Sequence, residues 1–318
     1  MTKNWFKWLL ALATMATLAA CGDDDDPVAP PPGNVVQVAQ ANGFNALAAA
    51  ATKAGLVPTL SDANARLTVF APTDAAFNTL ATRLGFADAT ALVNALPAAA
   101  LANILTYHVL PERKTAANLA AGGATQATAY TFGAAPASLS LNTASGVVIT
   151  DAALTTSRVT TADVAASNGV VHVVDKVLVP PGVLNVVQMA QVNPAFSTLV
   201  GAVVQANLQG TLSGAGPFTV FAPTNDAFAA IASTVAGLSN AQLTTVLTYH
   251  VLPGQVLAAD IPFGTPVSTV AGQDITINAS PLSITDSTAT PAPIVATDVR
   301  ASNGVIHVVS KVLIPAAL

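Results

Sequence analysis

The chain has four histidines, and all four lie in blocks of sequence that occur twice, at His108, His172, His250 and His307. In the first copy, Asp163 precedes His172 by nine residues, and Ser167 lies between them. A serine, a histidine and an aspartate that converge form a nucleophilic triad, in which the imidazole accepts the serine proton. The second copy repeats the trio at Asp298, Ser302 and His307. Because the trio recurs with its surrounding framework, we expect structural hydrogen bonds here, and nucleophilic catalysis is the alternative.

Other reaction centres leave no motif in the sequence. There is no G-x-S-x-G elbow, no H-E-x-x-H pair, no phosphate-binding loop and no G-x-G-x-x-G after a strand. The sole glutamate, Glu112, and the scattered aspartates do not suggest the paired carboxylates of a glycosidase. We therefore expect no catalytic residue, no cofactor and no metal site, and we interpret the chain as a non-enzymatic protein.

A tyrosine–histidine pair ends a predicted helix in each copy, Tyr107–His108 in the first and Tyr249–His250 in the second. Apolar residues at helical spacing precede each pair, and a proline soon follows it and stops the helix. We expect these four residues to be core or rim side chains, and contact with a ligand is the alternative.

Four blocks recur in the same order, which identifies an internal duplication. They are NVVQVAQ at 34–40 and NVVQMAQ at 185–191, TVFAPTDAAF at 68–77 and TVFAPTNDAF at 219–228, YHVLP at 107–111 and 249–253, and SNGVVHVVDKVLVP at 167–180 and SNGVIHVVSKVLIP at 302–315. The spacing between copies shortens along the chain, so the blocks form a framework and the gaps are surface loops. We predict two domains, 34–181 and 184–316, joined by a short link and therefore in contact.

The phrase TVFAPT followed by an acid predicts a corner between a strand and a helix. A β-branched and aromatic trio favours a buried strand, and the proline that follows has no N–H for the sheet. Thr73 is the expected helix N-cap, Asp74 is the acid of the first turn, and Phe77 turns back onto the strand. The second copy offers Thr224, Asp226 and Phe228 for these roles.

The last block predicts a β-hairpin. Two apolar runs meet at Asn168-Gly169, and Asn-Gly is the strongest short hairpin signal. If the turn has two residues, Ala165 lies opposite His172, and Asp163 is a diagonal neighbour within side-chain reach. The second copy repeats these positions at Asn303, Gly304, Asp298 and His307.

The remaining segments complete an α+β class. Helices are expected near 35–42 and 44–54, where Gly43 and Gly55 end them, and short strands near 138–149 and 273–285. The helices therefore group ahead of a mostly antiparallel sheet system.

The repeated blocks, in this order and spacing, resemble the fasciclin (FAS1) domain over nearly all of the chain after Gly33. The resemblance implies two tandem domains, each a wedge-shaped β-sandwich of two sheets with a cluster of helices. It also implies a secreted or surface-anchored protein that works in adhesion. In animal members the Tyr-His region is tied to integrin binding, which makes Tyr107, His108, Tyr249 and His250 candidate ligand contacts. Integrins are absent from bacteria, so that role carries over only against a host.

The first twenty residues have the form of a secretory signal: Lys3 and Lys7, then an apolar stretch too short for a membrane span, then small residues. LAAC at 18–21 resembles a bacterial lipobox, which implies lipidation of Cys21 and cleavage just before it. Cys21 is the only cysteine, which excludes disulfides within the chain. Residues 21–33 are expected to form an acidic, proline-rich tether. In Gram-negative lipoproteins an Asp after the cysteine tends to retain the protein in the inner membrane, and here that residue is Gly22, so the resemblance implies the outer membrane. The face of the membrane, periplasmic or outer, stays open.

Charge excludes nucleic acid as a partner. Of eleven basic side chains the signal removes two, which leaves nine against sixteen acidic ones and a formal charge of −7. Nucleic-acid binding requires a basic stripe instead. We interpret the chain as a membrane-anchored, extracytoplasmic adhesion module whose ligand is a protein or glycan of the cell surface or matrix. The alternatives are an envelope hydrolase, a small-ligand-binding protein and a structural envelope scaffold.

Overall fold

The computed structural model of the chain describes residues 32–317. The predicted signal peptide, Cys21 and nearly all of the predicted tether lie outside these residues. The described chain is one compact unit that contains two domains with closely similar element order. Within it, no single helix has the length and hydropathy of a membrane span; the pair Ala89–Ala95 and Ala98–Tyr107 reaches them only jointly, across a bend of 117°.

The first domain has seven helices and seven strands. The helices are α1 (Val35–Ala41), α2 (Asn45–Lys53), α3 (Val57–Leu60), α4 (Asp74–Arg83), α5 (Ala89–Ala95), α6 (Ala98–Tyr107) and α7 (Ala116–Ala121). The strands are β1 (Leu67–Pro72), β2 (Val109–Leu110), β3 (Thr125–Phe132), β4 (Ala135–Asn142), β5 (Val148–Thr150), β6 (Thr156–Ala166) and β7 (Gly169–Val174). The expected first two helices are present, and Gly43 and Gly55 follow them with φ of 75° and 69°. Glycine adopts these left-handed angles without steric penalty, so it ends a helix readily.

The second domain repeats this order. Its helices are α8 (Val186–Val192), α9 (Ser197–Gln205), α10 (Gln209–Ser213), α11 (Asn225–Ala229), α12 (Ala232–Ala236) and α13 (Asn240–Tyr249), with short 3₁₀ turns at Pro194–Phe196 and Ala258–Asp260. Its strands are β8 (Phe218–Pro223), β9 (Val251–Pro253), β10 (Pro266–Ser268), β11 (Asp274–Ala279), β12 (Leu282–Thr285), β13 (Ala292–Ala301) and β14 (Gly304–Val309). The segment expected to hold short strands near 138–149 contains parts of β4 and β5, and the segment near 273–285 contains all of β11 and β12.

Each domain is built on one hydrogen-bonded sheet of seven strands, in the order β2-β1-β7-β6-β5-β4-β3 and β10-β11-β12-β13-β14-β8-β9. The pairs β1·β7 and β8·β14 are parallel, and the other pairs are antiparallel. The predicted α+β class and the tandem arrangement are therefore confirmed.

The predicted sandwich is a single sheet that folds over itself. Strand β6 pairs with β5 through residues 156–158 and with β7 through residues 159–166, so it belongs to both halves. Phe70 and Val174 from one half pack with Leu139 and Ile149 from the other in a core between the two halves. The long, bulged strand thus joins the two layers that the resemblance implied.

Alternate residues of β1 serve two different cores, because successive side chains of a strand point to opposite faces. Val69 and Ala71 pack under the helices, whereas Phe70 packs between the two halves of the sheet. Strand β7 lies in the middle, and all six of its residues are buried. This burial on both faces is the reason that the strand reads as GVVHVV, an almost continuous apolar run.

The corner between β1 and α4 has a capped helix start. Thr73 precedes α4, and its hydroxyl accepts a hydrogen bond from the Ala76 N–H at 3.2 Å. Thr224 does the same for Ala227 at 3.3 Å. Phe77 and Phe228 are buried in the core under the helices, where they pack α4 and α11 against the sheet.

Asp74 has a second role that its place in the first turn did not indicate. Its carboxylate accepts a hydrogen bond from the Ala46 N–H at 2.8 Å, at the start of α2. In the second domain this role belongs to Asn225, whose side-chain oxygen accepts from the Thr198 N–H at 3.0 Å, and not to Asp226. The equivalent of Asp74 is therefore the residue directly after the threonine, since both side chains cap the neighbouring helix.

Candidate functional site

The histidines that follow α6 and α13 are enclosed and hydrogen-bonded on both ring nitrogens. Nδ1 of His108 lies 2.7 Å from the Ile104 carbonyl, and Nε2 lies 2.8 Å from the Leu178 N–H. A carbonyl only accepts and a backbone N–H only donates, so these partners require a neutral ring with its proton on Nδ1. His250 has the same arrangement with Val246 and Leu313, at 2.8 and 2.9 Å. Burial lowers the pKa of both histidines to about 4, which keeps them neutral.

The tyrosines beside these histidines tie the end of a helix to a strand, α6 to β4 and α13 to β11. The Tyr107 hydroxyl donates to the Ser138 carbonyl at 3.0 Å, and the Tyr249 hydroxyl donates to the Asp274 carbonyl at 3.0 Å. Burial raises the pKa of Tyr107, and burial with two nearby aspartates raises that of Tyr249 to about 12. None of the four Tyr-His side chains is more than 2% exposed. Ligand contact at these residues stays a prediction, and the described conformation offers no exposed surface for it.

The hairpin histidine His172 is also bonded to backbone on both sides. Its ring stacks on Phe70 with centroids 5.7 Å apart. Nε2 lies 3.0 Å from the Lys114 carbonyl, and Nδ1 lies 3.2 Å from the Asp163 N–H. These partners place the proton on Nε2, the opposite tautomer to that of His108.

His307 repeats this arrangement in the second domain. Nε2 lies 2.9 Å from the Val256 carbonyl, and Nδ1 lies 3.4 Å from the Asp298 N–H. Burial lowers the pKa of His307. Both hairpin histidines therefore join a loop carbonyl to the β-bulge of the neighbouring strand.

The predicted hairpin turn is misplaced by one residue, which makes the predicted pairing wrong by two. Ala166 pairs with Gly169, so the turn is Ser167-Asn168 and Ala165 lies opposite Val170 rather than His172. A bulge between Thr161 and Val164 moves the register by one more residue, so that Thr161 lies opposite Val173. The Asn-Gly signal located the hairpin, but the close packing of β7 against β1 decided which two residues turn.

The aspartates nine residues before the hairpin histidines are bulge residues. Asp163 and Asp298 have φ of 59° and 60°, a left-handed conformation that aspartate tolerates better than most residues. Their carboxylates accept hydrogen bonds from the N–H groups of Ala116 and Ala258, at 2.8 and 2.9 Å. Only their backbone N–H groups meet the histidines, so the expected contact between the two side chains is wrong. A triad requires that contact, and here backbone groups occupy both histidine nitrogens.

Asn168 lies in the turn, and its buried side chain forms hydrogen bonds with two segments that are distant in the sequence. Its side-chain oxygen accepts from the Val35 N–H at 2.9 Å, and its amide donates to the carbonyls of Leu60 and Asp62 at 2.8 and 2.9 Å. Asn303 makes the matching bonds to Val186, Leu212 and Gly214. The hairpin turn thus pins the first helix of each domain and the segment before its first strand.

Asn168→Ala is expected to lower the free energy of unfolding by about 2 kcal/mol, because three backbone groups lose their partner at a site only 3% exposed. Chemical denaturation followed by circular dichroism measures the loss. Asn64→Ala is the matched control, since Asn64 is exposed and is expected to change stability by less than about 0.5 kcal/mol. Equal stability of the two variants would contradict the role given to Asn168.

Gly169 is a strand residue with a close neighbour, rather than the left-handed turn residue that Asn-Gly hairpins use. A Cβ at Gly169 would lie 2.3 Å from the Leu67 carbonyl oxygen on the parallel strand β1. A Cβ at Gly304 would lie 2.2 Å from the Phe218 oxygen. The repeated glycine therefore allows two backbones to approach, which is a requirement of packing and not of turn geometry.

An aspartate after β5 and β12 was missed by the sequence reasoning, although I-T-D recurs at 149–151 and 284–286. Asp151 is buried and accepts hydrogen bonds from the N–H groups of Ala153, Thr155 and Val179. Burial raises the pKa of Asp151 to about 6, although these bonds act in the opposite direction.

Its equivalent Asp286 has a different balance. Burial alone would raise the pKa of Asp286, but hydrogen bonds from Thr288, Ile314 and Lys311 outweigh it and lower the pKa. Lys311 Nζ lies 3.0 Å from the Asp286 carboxylate, a pair that the first domain does not repeat at Asp151 within the described residues. The pKa of this repeated aspartate is therefore shifted upward in the first domain and downward in the second.

The two domains are in contact, as the short link predicts. Arg83 donates from Nη1 to the Val192 carbonyl at 2.6 Å, and Asn193 donates from its amide to the Ala153 carbonyl at 2.9 Å. The apolar core under the helices continues across this contact without a break. The domains therefore present a fixed surface where they meet.

The model of the fasciclin domain matches residues 42–180 and 194–315 of this chain, which include all four histidines and both hairpins. The chain belongs to the fasciclin domain family. Among the described residues of this fasciclin-domain protein, no group of three or more histidines, cysteines, aspartates or glutamates is placed to hold a metal ion.

Several known proteins are similar to this fasciclin-domain chain. Protein sll1483 of Synechocystis sp. is 45% identical over 137 residues, which are 42% of this chain and 74% of that protein. Human periostin is 31% identical over 154 residues, 47% of this chain and 18% of periostin. A solved FAS1 domain pair from the insect cell adhesion molecule Fasciclin I aligns with a TM-score of 0.42 and 19% identity, over 87% of this chain and 95% of that one.

Proposed function

We propose that this chain is a non-enzymatic binding module that works in adhesion at the cell envelope. Its ligand is a protein or glycan of the cell surface or the extracellular matrix. Membership of the fasciclin family supports the proposal, because the family resemblance implies secreted or surface-anchored proteins that work in adhesion.

The observation that carries the proposal is that the repeated polar side chains form hydrogen bonds to the backbone of their own domain. All four histidines bond to backbone groups of their own domain, and the hairpin aspartates bond to a nearby N–H. The side chains with the chemistry for catalysis therefore act in the framework of both copies. Function then rests on the outer surface of the domains and on the face where they meet.

Binding of the mature protein to arrays of matrix proteins and glycans tests this function. We expect selective binding to a small set of ligands, and stronger binding when two sites engage together, since linked sites raise avidity about 10²–10⁴-fold. Turnover of simple ester or glycoside substrates without any selective binding would contradict the proposal and favour an envelope hydrolase. Absence of both binding and turnover would favour a structural scaffold.

We propose further that Cys21 carries a lipid that holds the domains at the membrane, with Gly22 directing the protein to the outer membrane. Cys21→Ala is expected to abolish incorporation of a labelled fatty acid and to move the protein into the soluble fraction. The unaltered chain, which has no other cysteine, is the control. If the unaltered chain takes up no labelled lipid and the variant still sediments with membranes, the anchor is refuted.

Protease treatment of intact cells distinguishes the two faces of the outer membrane. A surface-facing module is expected to be cleaved in intact cells, whereas a periplasmic one is cleaved only after the outer membrane is opened. Adhesion to material outside the cell requires the first result.

A further inference from the structure

A cleft of about 550 Å³ lies where the two domains meet. Its lining includes Phe132 of the first domain, Gly182 of the linker, and Pro217, Gln255, Arg300 and Asn303 of the second domain. The volume falls within the roughly 300–1,000 Å³ typical of small-ligand sites. The cleft requires both domains, so it is a feature of the tandem and not of either copy.

The linker forms one wall of this cleft. The Gly182 N–H donates to the Arg300 carbonyl at 3.0 Å and ties the linker to β13. Gly182 has φ of 74°, and a Cβ there would lie 2.2 Å from the Phe132 ring. The Phe132 ring at the end of β3 therefore packs directly on the linker, and this contact fixes the position of the linker beside the cleft.

Arg300 supplies the charge of the cleft. Its guanidinium carbon lies 5.3 Å from the centre of the Phe132 ring, a cation–π contact that orients the group. Among the described residues, Arg300 forms no ion pair, and its Nε is buried without a hydrogen-bond partner. It is also the one charged side chain among the described residues that line the cleft. A planar guanidinium with free donors matches a carboxylate in both shape and charge.

The internal repeat indicates that this arginine is not part of the shared framework. The first copy reads DVAASNG at 163–169, and the second reads DVRASNG at 298–304. Ala165 thus stands at the position equivalent to Arg300, in the copy whose hairpin does not line the cleft. Within this seven-residue stretch the two copies differ only at this position, and in the second copy the position lines the interdomain cleft.

We propose that this cleft binds a uronic-acid sugar, a monosaccharide-sized ligand with one carboxylate and several hydroxyls. The carboxylate pairs with Arg300, and the exposed Gln255 and Ser302 are neutral groups that suit hydroxyls. The negative net charge of the chain repels ligands with many negative charges, which favours a singly charged sugar over an acidic peptide. This inference rests on the proposed binding function and names the ligand class for it.

Titration of the mature two-domain protein with sodium D-glucuronate, D-glucose and sodium acetate, at constant ionic strength, tests the site. We expect glucuronate to bind at least about tenfold more tightly than either of the others, since it alone uses both the charged and the neutral contacts. Equal affinity for glucose shows that charge plays no part, and equal affinity for acetate shows that the sugar plays none. Either result overturns the assignment without any variant.

Variants then locate the site. Arg300→Met is expected to weaken glucuronate binding about tenfold or more, and Arg300→Lys to weaken it less, because lysine keeps the charge and loses the planar fork. Arg158→Met is the matched control, an exposed arginine of β6 in the first domain, and it is expected to leave the affinity unchanged. An unchanged affinity in Arg300→Met overturns the proposal. If glucuronate does not bind while the array still detects selective ligands, this inference fails and the proposed function stands.

Discussion

Gly169→Ala is expected to lower the free energy of unfolding by about 3 kcal/mol, the upper end of the usual penalty for overpacking. The new Cβ would lie 2.3 Å from the Leu67 carbonyl oxygen, and both belong to the backbone of paired strands. Neither can rotate aside, so the parallel pair β1·β7 must separate locally. Gly304→Ala is expected to do the same in the second domain, where the distance is 2.2 Å.

Gly201→Ala provides a control in which the same substitution is expected to raise the free energy of unfolding instead of lowering it. Gly201 lies within α9, and a Cβ there has no neighbour within 4 Å. Alanine is favoured over glycine inside a helix, so this variant is expected to gain about 0.5–1 kcal/mol. Urea denaturation followed by circular dichroism measures all three variants. A loss below about 1 kcal/mol in Gly169→Ala would contradict the steric argument, because that is the change of an ordinary substitution.

Acidification is expected to unfold the second domain before the first. Burial lowers the pKa of His250 from 6.5 to about 4, so the unfolded chain binds the proton more tightly. The stabilisation from neutral His250 is therefore complete above pH 6.5, the pKa of histidine in the unfolded chain. As the pH falls from 6.5 toward 4, the free energy of unfolding decreases by about 3 kcal/mol. The lowered pKa of His307 adds a loss of the same sign. The lowered pKa of Asp286 removes further stability only below its usual 3.8.

The first domain has an opposing group. His108 loses stability over the same range as His250. Asp151, however, has its pKa raised from 3.8 to about 6, so the folded chain holds that proton more tightly. The stabilisation from the protonated carboxyl is lost as the pH rises through 6. As the pH falls from 6 to 3.8, this stabilisation returns and offsets the loss from His108 by about 3 kcal/mol.

Hydrogen exchange measured by mass spectrometry at neutral and acidic pH separates the two domains. With intrinsic exchange rates corrected, peptides of the second domain are expected to lose protection at the higher pH. Asp151→Asn removes the offset, so the first domain is then expected to become as acid-sensitive as the second. Comparing the pH dependence, and not the absolute stability, avoids the effect of the new amide on packing. Earlier loss of protection in the first domain would contradict this account.

Sequence motifs correctly predicted the features that involve residues close together in the chain, namely helix caps and helix ends. Thr73 caps a helix that begins at the next residue, and its partner Ala76 is three residues away. Gly43 and Gly55 end helices for the same local reason. Such contacts are set by spacing along one element, so a pattern of residue types predicts them.

Partners far apart in the chain escaped this reasoning. Asn168 binds segments 106 to 133 residues before it, and Asp74 caps a helix 28 residues earlier. The contact between Asp163 and His172 was expected between side chains, and a bulge replaced it with a backbone N–H. A bulge changes the register by one residue and so exchanges the faces of the strand beyond it, and a pattern of residue types does not fix which atoms then meet.

The sequence by itself determined the duplication, the α+β class, the capped corners and the approximate position of the Asn-Gly hairpin in each copy. These features depend on short stretches of sequence and on contacts between residues that are close in the chain. Only the tertiary structure decided that the repeated histidines bind backbone, that Gly169 admits a neighbouring strand, and that Arg300 lines a cleft with Phe132. These depend on strand register and on how two domains pack. Both are set by the sum of many long-range contacts and not by any single motif.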